Sequence, residues 1–344
     1  MTSIDDYIAA IPKCELHVHL EGALNADMKF ALAERNRIAL PYANADEMRA
    51  SYIYHDLPSF LRIFYEGSKV LIEERDFYDL CYAYLSKARS QNVVYAEMFF
   101  DPQQHTSRGV PFGTVITGLH RACVDAEIAL GIESQLIMCF VRELSAESAM
   151  QTLIEAIPYK EWIVGVGLDS DENGNPPSKF AAVFERARAE GFRRTMHCDL
   201  NLPDTLTNIV EALDLIGLDR IDHGVNVLDD PTLITTAKAR GVTFTLCPYA
   251  NEVVMPGHRQ YPVRRMLDLG LKATLNSDDP AYMEGSYMIE NMQRAQRDAG
   301  LTRSDLFTLT ENAFAAAWIS DAKRQAYLAR LNAFATQWER SGTR

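Results

Sequence analysis

The sequence contains no CxxC pair. Its six cysteines, at 14, 81, 123, 139, 198 and 247, fall mostly in apolar stretches, so reduced, buried thiols are expected rather than a dithiol redox motif or a zinc ribbon. Cations are in deficit: 34 Lys and Arg against 47 Asp and Glu give a formal net charge of -13. Counterion release on a phosphate backbone needs clustered Lys and Arg, so nucleic-acid and anionic-lipid partners are not expected. No uninterrupted apolar run approaches the roughly 18 to 20 residues that span a bilayer. The N-terminus, Met1 to Pro12, carries Asp5 and Asp6 where a secretory signal has basic residues and an apolar core. A cytoplasmic chain without export signal or membrane segment is therefore expected. Internal repeats, low-complexity tracts and Pro/Ser-rich linkers are also missing. That leaves no boundary at which to divide residues 1–344, and a single domain is expected.

What is there is a hydrophobic fraction of 47%, ordinary for a chain that buries a sizeable core. Eight short apolar runs, at residues 14–20, 93–100, 135–141, 163–169, 193–198, 220–225, 242–247 and 272–276, read as strands. Between them lie amphipathic stretches such as residues 76–90, 112–130, 146–156, 177–190 and 205–216. Strand and helix alternating eight times predict an α/β fold, a closed parallel (β/α)8 barrel. Residues 25–74 are too long for a simple crossover and predict several short helices inserted after the first strand. Tyr52, Tyr54, Phe60, Phe64 and Tyr65 in that insertion would form an apolar lid or, for any one of them, simply pack the helices together.

The first run ends in His17-Val18-His19-Leu20-Glu21-Gly22. Imidazoles at i and i+2 of a strand share one face, and neutral imidazole is a good zinc ligand. An HxH alone is weak, since a polar patch at a barrel end would look the same. Its company decides the matter. His197 lies in the fifth run, His223 in the sixth, and the eighth leads into Asn276-Ser277-Asp278-Asp279-Pro280. A barrel places its catalytic groups at these C-terminal strand ends. Four of the eight histidines at three such ends, with an acid pair at a fourth, point to a metal site. His55, His105, His120 and His258 lack a partner at ligand spacing and read as ordinary polar residues, His105 in the loop of residues 101–109 being the strongest exception. The acid-rich loop Asp169-Ser170-Asp171-Glu172-Asn173-Gly174 follows the fourth run on the same face. Turn and capping roles account for most of its acids, with Asp171 a candidate substrate contact.

Together these motifs resemble the adenosine/adenine deaminase family of the amidohydrolase superfamily. The similarity runs from Pro12-Lys13-Cys14-Glu15-Leu16-His17-Val18-His19-Leu20-Glu21-Gly22 through Arg220-Ile221-Asp222-His223-Gly224 to Asn276-Ser277-Asp278-Asp279-Pro280. Phe99-Phe100-Asp101-Pro102, Gly167-Leu168-Asp169-Ser170 with Pro176-Pro177, and residues 277–282 look more like bacterial adenine deaminases than animal nucleoside enzymes. The resemblance implies one zinc ion per chain on His17, His19, His197 and Asp278, with one position left for a water whose pKa the metal lowers. It further implies that His223 holds and helps deprotonate that water, and that Asp278 shares in proton transfer. Asp279 would bond the purine near N7, with Glu21 and Gly22 behind the metal. Attack at C6 would then expel ammonia or an amine from a small purine-like substrate.

One departure weighs against these agreements. The family's His-Ala-Gly-Glu motif, whose glutamate protonates purine N1, reads His197-Cys198-Asp199-Leu200 here, and the stretch from there to His223 is slightly longer than in the family. Losing a positioned general acid costs roughly 10²–10⁴ in rate. Either Asp199 supplies the proton, or the substrate is an N6-substituted or otherwise altered heterocycle, or the chain keeps zinc without deaminating. An amidohydrolase acting on a different C–N bond is the alternative enzyme class, and a noncatalytic zinc-binding protein the third. The sequence leaves the oligomeric state open, a homo-oligomer included.

Overall fold

The apolar runs form the strands β1 (Lys13–Glu15), β2 (Val93–Phe100), β3 (Glu133–Val141), β4 (Ile163–Asp169), β5 (Arg193–Arg194), β6 (His197–Cys198), β7 (Arg220–His223), β8 (Thr243–Leu246) and β9 (Lys272–Leu275). The computed structural model describes residues 3–198, 202–254 and 262–342. Among the described residues every strand pairing is parallel and follows chain order, β1 to β5 and then β6 to β9. The expected run at residues 193–198 appears as two pieces because its first half pairs with β4 and its second with β7. Between those halves, Thr195 N donates to Val166 O at 3.0 Å and Met196 O accepts from Asp222 N at 2.8 Å, which bridges the two groups.

The ring closes where the chain leaving β1 meets the chain leaving β9. Asp278 N donates to His17 O (3.2 Å) and His19 N donates to Asp278 O (2.9 Å). The first run is accordingly a regular strand only over Lys13–Glu15. Beyond it the backbone bonds alternately to the Asn276 side chain, Asp278 and Phe99, which serves the site better than a continuous ladder. The fold is the expected α/β barrel. β2, all eight of whose residues are buried, reads as one apolar stretch because a parallel barrel strand is covered on both faces.

Helices Glu74–Ser90 and Phe112–Leu130 cover β2 and β3. They approach closely at Gly118, where a Cβ would lie 2.2 Å from Glu74 O. The insertion after the first strand is helical as expected, with helices Ala26–Asn36, Ala45–Ala50 and Leu57–Ser68. Each starts at a side-chain cap: Asn25, Asn44 and Asp56 accept from the backbone N–H of Met28, Glu47 and Ser59. Among the described residues no helix is long and apolar enough to cross a membrane, and all six cysteines are buried, none in a disulfide.

Candidate metal centre and active-site cavity

Strand ends deliver the site's side chains to one end of the barrel. His17 and His19 follow β1, His197 opens β6, His223 ends β7 and Asp278 follows β9. All five are at most 6% exposed. His19 Nε2 lies 3.1 Å from His197 Nε2, while Asp278 Oδ1 lies 3.2 Å from His17 Nε2 and 3.5 Å from His19 Nε2. His17 Nε2 has no hydrogen-bond partner despite its burial, so it faces Asp278 without the direction of a hydrogen bond. These spacings bracket the about 3.3 Å that separates ligands around a tetrahedral zinc with bonds of about 2.0–2.1 Å. The donor set fits a zinc ion. Donor atoms of His17, His197, His223 and Asp278 all fall within 4.8 Å of one another, and so, separately, do those of His19, Asp278 and Asp279. The Asp278 carboxylate faces two ways: Oδ1 faces both imidazoles of the HxH, whereas Oδ2 faces His223 Nε2 at 3.7 Å.

The backbone at these positions is bent to purpose. His223 and Asp278 have φ of 55° and 65°, and Ser170 at the neighbouring strand end has φ of 74°, values that non-glycine residues adopt at a cost of about 1–3 kcal/mol and that cluster at functional sites. Buried polar anchors hold them. Glu15 Oε1 accepts from Ser277 N (3.0 Å) and from the Ser277 hydroxyl, and Glu15 Oε2 accepts from the Tyr84 hydroxyl (2.6 Å). Asn276 Oδ1 accepts from Leu16 N at 2.9 Å. Together they fix the acid pair against the HxH strand.

Burial opposes ionisation of Asp278, but His17, then His223 and His19, hold its carboxyl below the usual carboxylate range. Burial, reinforced by Asp278, pushes the neighbouring Asp279 well above that range. The His223 imidazole is pushed down to about 4, chiefly by burial.

Above the donors opens a cavity of about 580 Å³, its open mouth and the solvent there included. His19, His197, His223, Asp278, Asp279, Asp101, Asp169 and Ser170 line its polar floor and rim. Leu57, Phe60, Leu61, Phe64, Ala250 and Val254 line its apolar wall, with Asn251 the polar group among them. Phe60 and Phe64 thus line the cavity, while Tyr52 and Tyr54 pack against the same cluster, Tyr52 stacked on Tyr282 with centroids 5.1 Å apart. The Tyr65 hydroxyl donates to Ser170 Oγ (2.7 Å) and lies 2.9 Å from Glu143 Oε2, tying helix Leu57–Ser68 to the barrel rim.

Most of the candidate residues meet here, with informative exceptions. Gly22 and Glu21 do not line the cavity. Gly22 backs Asp279, and Glu21 Oε1 is bonded to His105 Nε2 at 2.8 Å and accepts from Asp101 N at 3.3 Å. His105, fully buried, thus supports the site from behind. Asp171 is absent from the lining and accepts from Asn173 N at 2.9 Å, the local turn that its sequence context encodes. Asp199, with Leu200, lies outside the described residues. Sequence reasoning missed Asp101, Asp169, Glu15 and Asn276 as site residues. The first two were visible only as acids after strand runs, and the anchoring role of the others depends on contacts across more than 60 residues of chain.

The adenosine deaminase family model matches residues 12–334. An uncharacterized deaminase of Schizosaccharomyces pombe is 55% identical over 339 residues, 98% of this chain and 100% of its own. The crystal structure of an adenine deaminase from Arthrobacter aurescens superposes with a TM-score of 0.91 at 38% identity, covering 95% of this chain and 100% of its own. An amidohydrolase from Burkhoderia ambifaria, crystallised with bound zinc, superposes with a TM-score of 0.88 at 28% identity, covering 98% and 95%.

Proposed function

Because the chain belongs to the adenosine deaminase family, we propose that this hydrolytic enzyme removes the exocyclic amine of adenine or of an N6-substituted, purine-like heterocycle. The observation that carries the reading is that His19 Nε2 lies 3.1 Å from His197 Nε2 and Asp278 Oδ1 lies 3.2 Å from His17 Nε2 and 3.5 Å from His19 Nε2, with His19, His197 and Asp278 lining a cavity that has an apolar wall. These four residues hold one zinc ion. When bound, zinc lowers the pKa of water to about 7 and so provides a nucleophile at neutral pH.

The chain's own groups do the rest. His223, facing Asp278 Oδ2 from the cavity, accepts the nucleophile's proton, and Asp278 completes the proton path. Asp279, whose Oδ1 has no hydrogen-bond partner, bonds the purine ring near N7. Burial raises its pKa, which favours the protonated carboxyl that donates to a ring nitrogen. Asp199 supplies the ring proton that the family's glutamate delivers elsewhere. Alternatively Asp101 supplies it, a reading favoured by its buried position on the cavity floor and an Oδ1 without partner.

Among the described residues, the cavity wall of Leu57, Phe60, Leu61, Phe64, Ala250 and Val254 carries Asn251 as its polar group, which suits a free base with an apolar N6 substituent better than a nucleoside whose hydroxyls would be left unpaired. The test is ammonia and amine release by the zinc-loaded protein from adenine, adenosine, N6-alkyl adenines and other aminated heterocycles. Turnover of adenine or its N6-alkyl derivatives, with adenosine poorer, is expected. Release from none of the purines, with turnover of another heterocycle, would contradict the assignment.

A further inference from the structure

We propose that Asp222 is a positioning residue that sets the tautomer and tilt of two metal histidines, His17 and His197, from a single carboxylate beneath the site; the inference rests on the zinc reading above. Asp222 is fully buried on β7, in register with His197 on β6 and Thr245 on β8, so the three side chains form one row across adjacent strands. Its two oxygens serve opposite neighbours. Oδ1 accepts from the Thr245 hydroxyl at 2.8 Å, and Oδ2 accepts from the Thr195 hydroxyl at 2.7 Å.

The Thr245 hydroxyl has one hydrogen, and the carboxylate takes it. Its oxygen, 2.9 Å from His17 Nδ1, is then the acceptor of that bond. His17 must carry its proton on Nδ1, which bares the Nε2 lone pair toward Asp278 and the metal position. On the other side, Asp222 Oδ2 lies 3.7 Å from His197 Nδ1, an atom without a hydrogen-bond partner. A proton held there by the carboxylate bares His197 Nε2, the atom 3.1 Å from His19 Nε2. With His19 Nε2 bare as well, two lone pairs at that distance would repel unless a cation stood between them. Asp222 thereby favours the ligand-competent tautomer of both rings.

An amide cannot do this. Asparagine at 222 presents one acceptor and one donor. If the NH2 faces Thr245, that hydroxyl must accept from it and donate to His17 Nδ1, which forces the proton to Nε2. If it faces the other way, the acceptor toward His197 Nδ1 is lost. Whichever way the amide turns, one ligand is set wrongly, in a side chain of unchanged shape.

The test measures zinc affinity by competition with a chromophoric chelator, together with the visible spectrum of the cobalt-substituted protein, for the wild type, Asp222→Asn, Thr245→Val and Thr245→Ser. Asp222→Asn and Thr245→Val should bind zinc about 10–100-fold more weakly and change the cobalt spectrum, with the Tm of the metal-free protein retained, while Thr245→Ser, which keeps the hydroxyl, restores wild-type values. Should Asp222→Asn fail to fold, the Thr245 pair carries the same test. Wild-type zinc affinity and an unchanged cobalt spectrum in both Asp222→Asn and Thr245→Val would overturn the role of Asp222 and leave the zinc reading standing. A wild-type protein that binds no zinc would overturn both.

Discussion

Asp279 occupies the space that a side chain at residue 22 would need: a Cβ on Gly22 would lie 2.0 Å from Asp279 Oδ1 and 2.8 Å from Asp279 Cα. The contact includes backbone, so it cannot be relieved by a rotamer change alone. Gly22→Ala should displace Asp279 and lower kcat/KM by about 10²-fold, the scale of a 1 Å misplacement, while zinc stoichiometry stays at the wild-type value. Unchanged kinetics in the alanine variant would remove Asp279 from the substrate contact.

His17→Ala and Asp278→Ala each delete a proposed ligand, and both should purify with little zinc and without measurable turnover. Asp279→Asn should retain zinc and lose turnover. Metal analysis alongside kinetics separates the two classes. Full activity in a zinc-free Asp278→Ala protein would defeat the ligand assignment.

Asp199 and Asp101 compete for the ring proton. Replacing the true donor by asparagine should lower kcat by roughly 10²–10⁴, and replacing the other should cost far less. If neither Asp199→Asn nor Asp101→Asn reduces kcat tenfold, protonation comes from elsewhere and both readings fail.

Lys29 is 1% exposed, with Nζ donating to the Tyr52 hydroxyl at 2.7 Å and standing 3.9 Å from the Tyr282 ring centroid. Burial pushes its ammonium down to about 7, against about 10.4 in an unfolded chain. Below about pH 7 the folded state bears the full cost of a buried charge, and that cost fades as pH rises toward the unfolded value, where both states are neutral. Lys29 therefore makes stability rise with pH across this window. Denaturant unfolding of wild type and Lys29→Met at about pH 6.5 and about pH 9.5 should show the stability difference moving toward the wild type by on the order of 2–4 kcal/mol. A pH-independent difference would contradict a neutral Lys29.

The barrel was legible because apolar runs and amphipathic helices alternate with a regular period. The histidine–aspartate cluster was legible because HxH, His197, His223 and the acid pair each follow or fall in such a run. Other features depend on contacts that no local window contains. Asp222 neighbours His223 in sequence, yet its meaning comes from Thr195, between β5 and β6, and Thr245 on β8. Gly22 and Glu21 read as pocket residues from their place in the motif, but the close approach of Asp279 and the buried His105 turn them into supports. Left-handed backbone at His223 and Asp278 also leaves no sequence signal when the residue is not glycine. For Asp171 the sequence was sufficient and was overread, since an acid two residues before Asn173 is a turn former first.

The most direct test of the central claim is a zinc titration of the metal-free protein, with amine release from adenine or its best N6-substituted analogue followed at each addition. Turnover should rise linearly and saturate at one zinc per chain, and chelation should abolish it. Turnover that is undiminished in the metal-free protein and indifferent to added zinc would contradict the account.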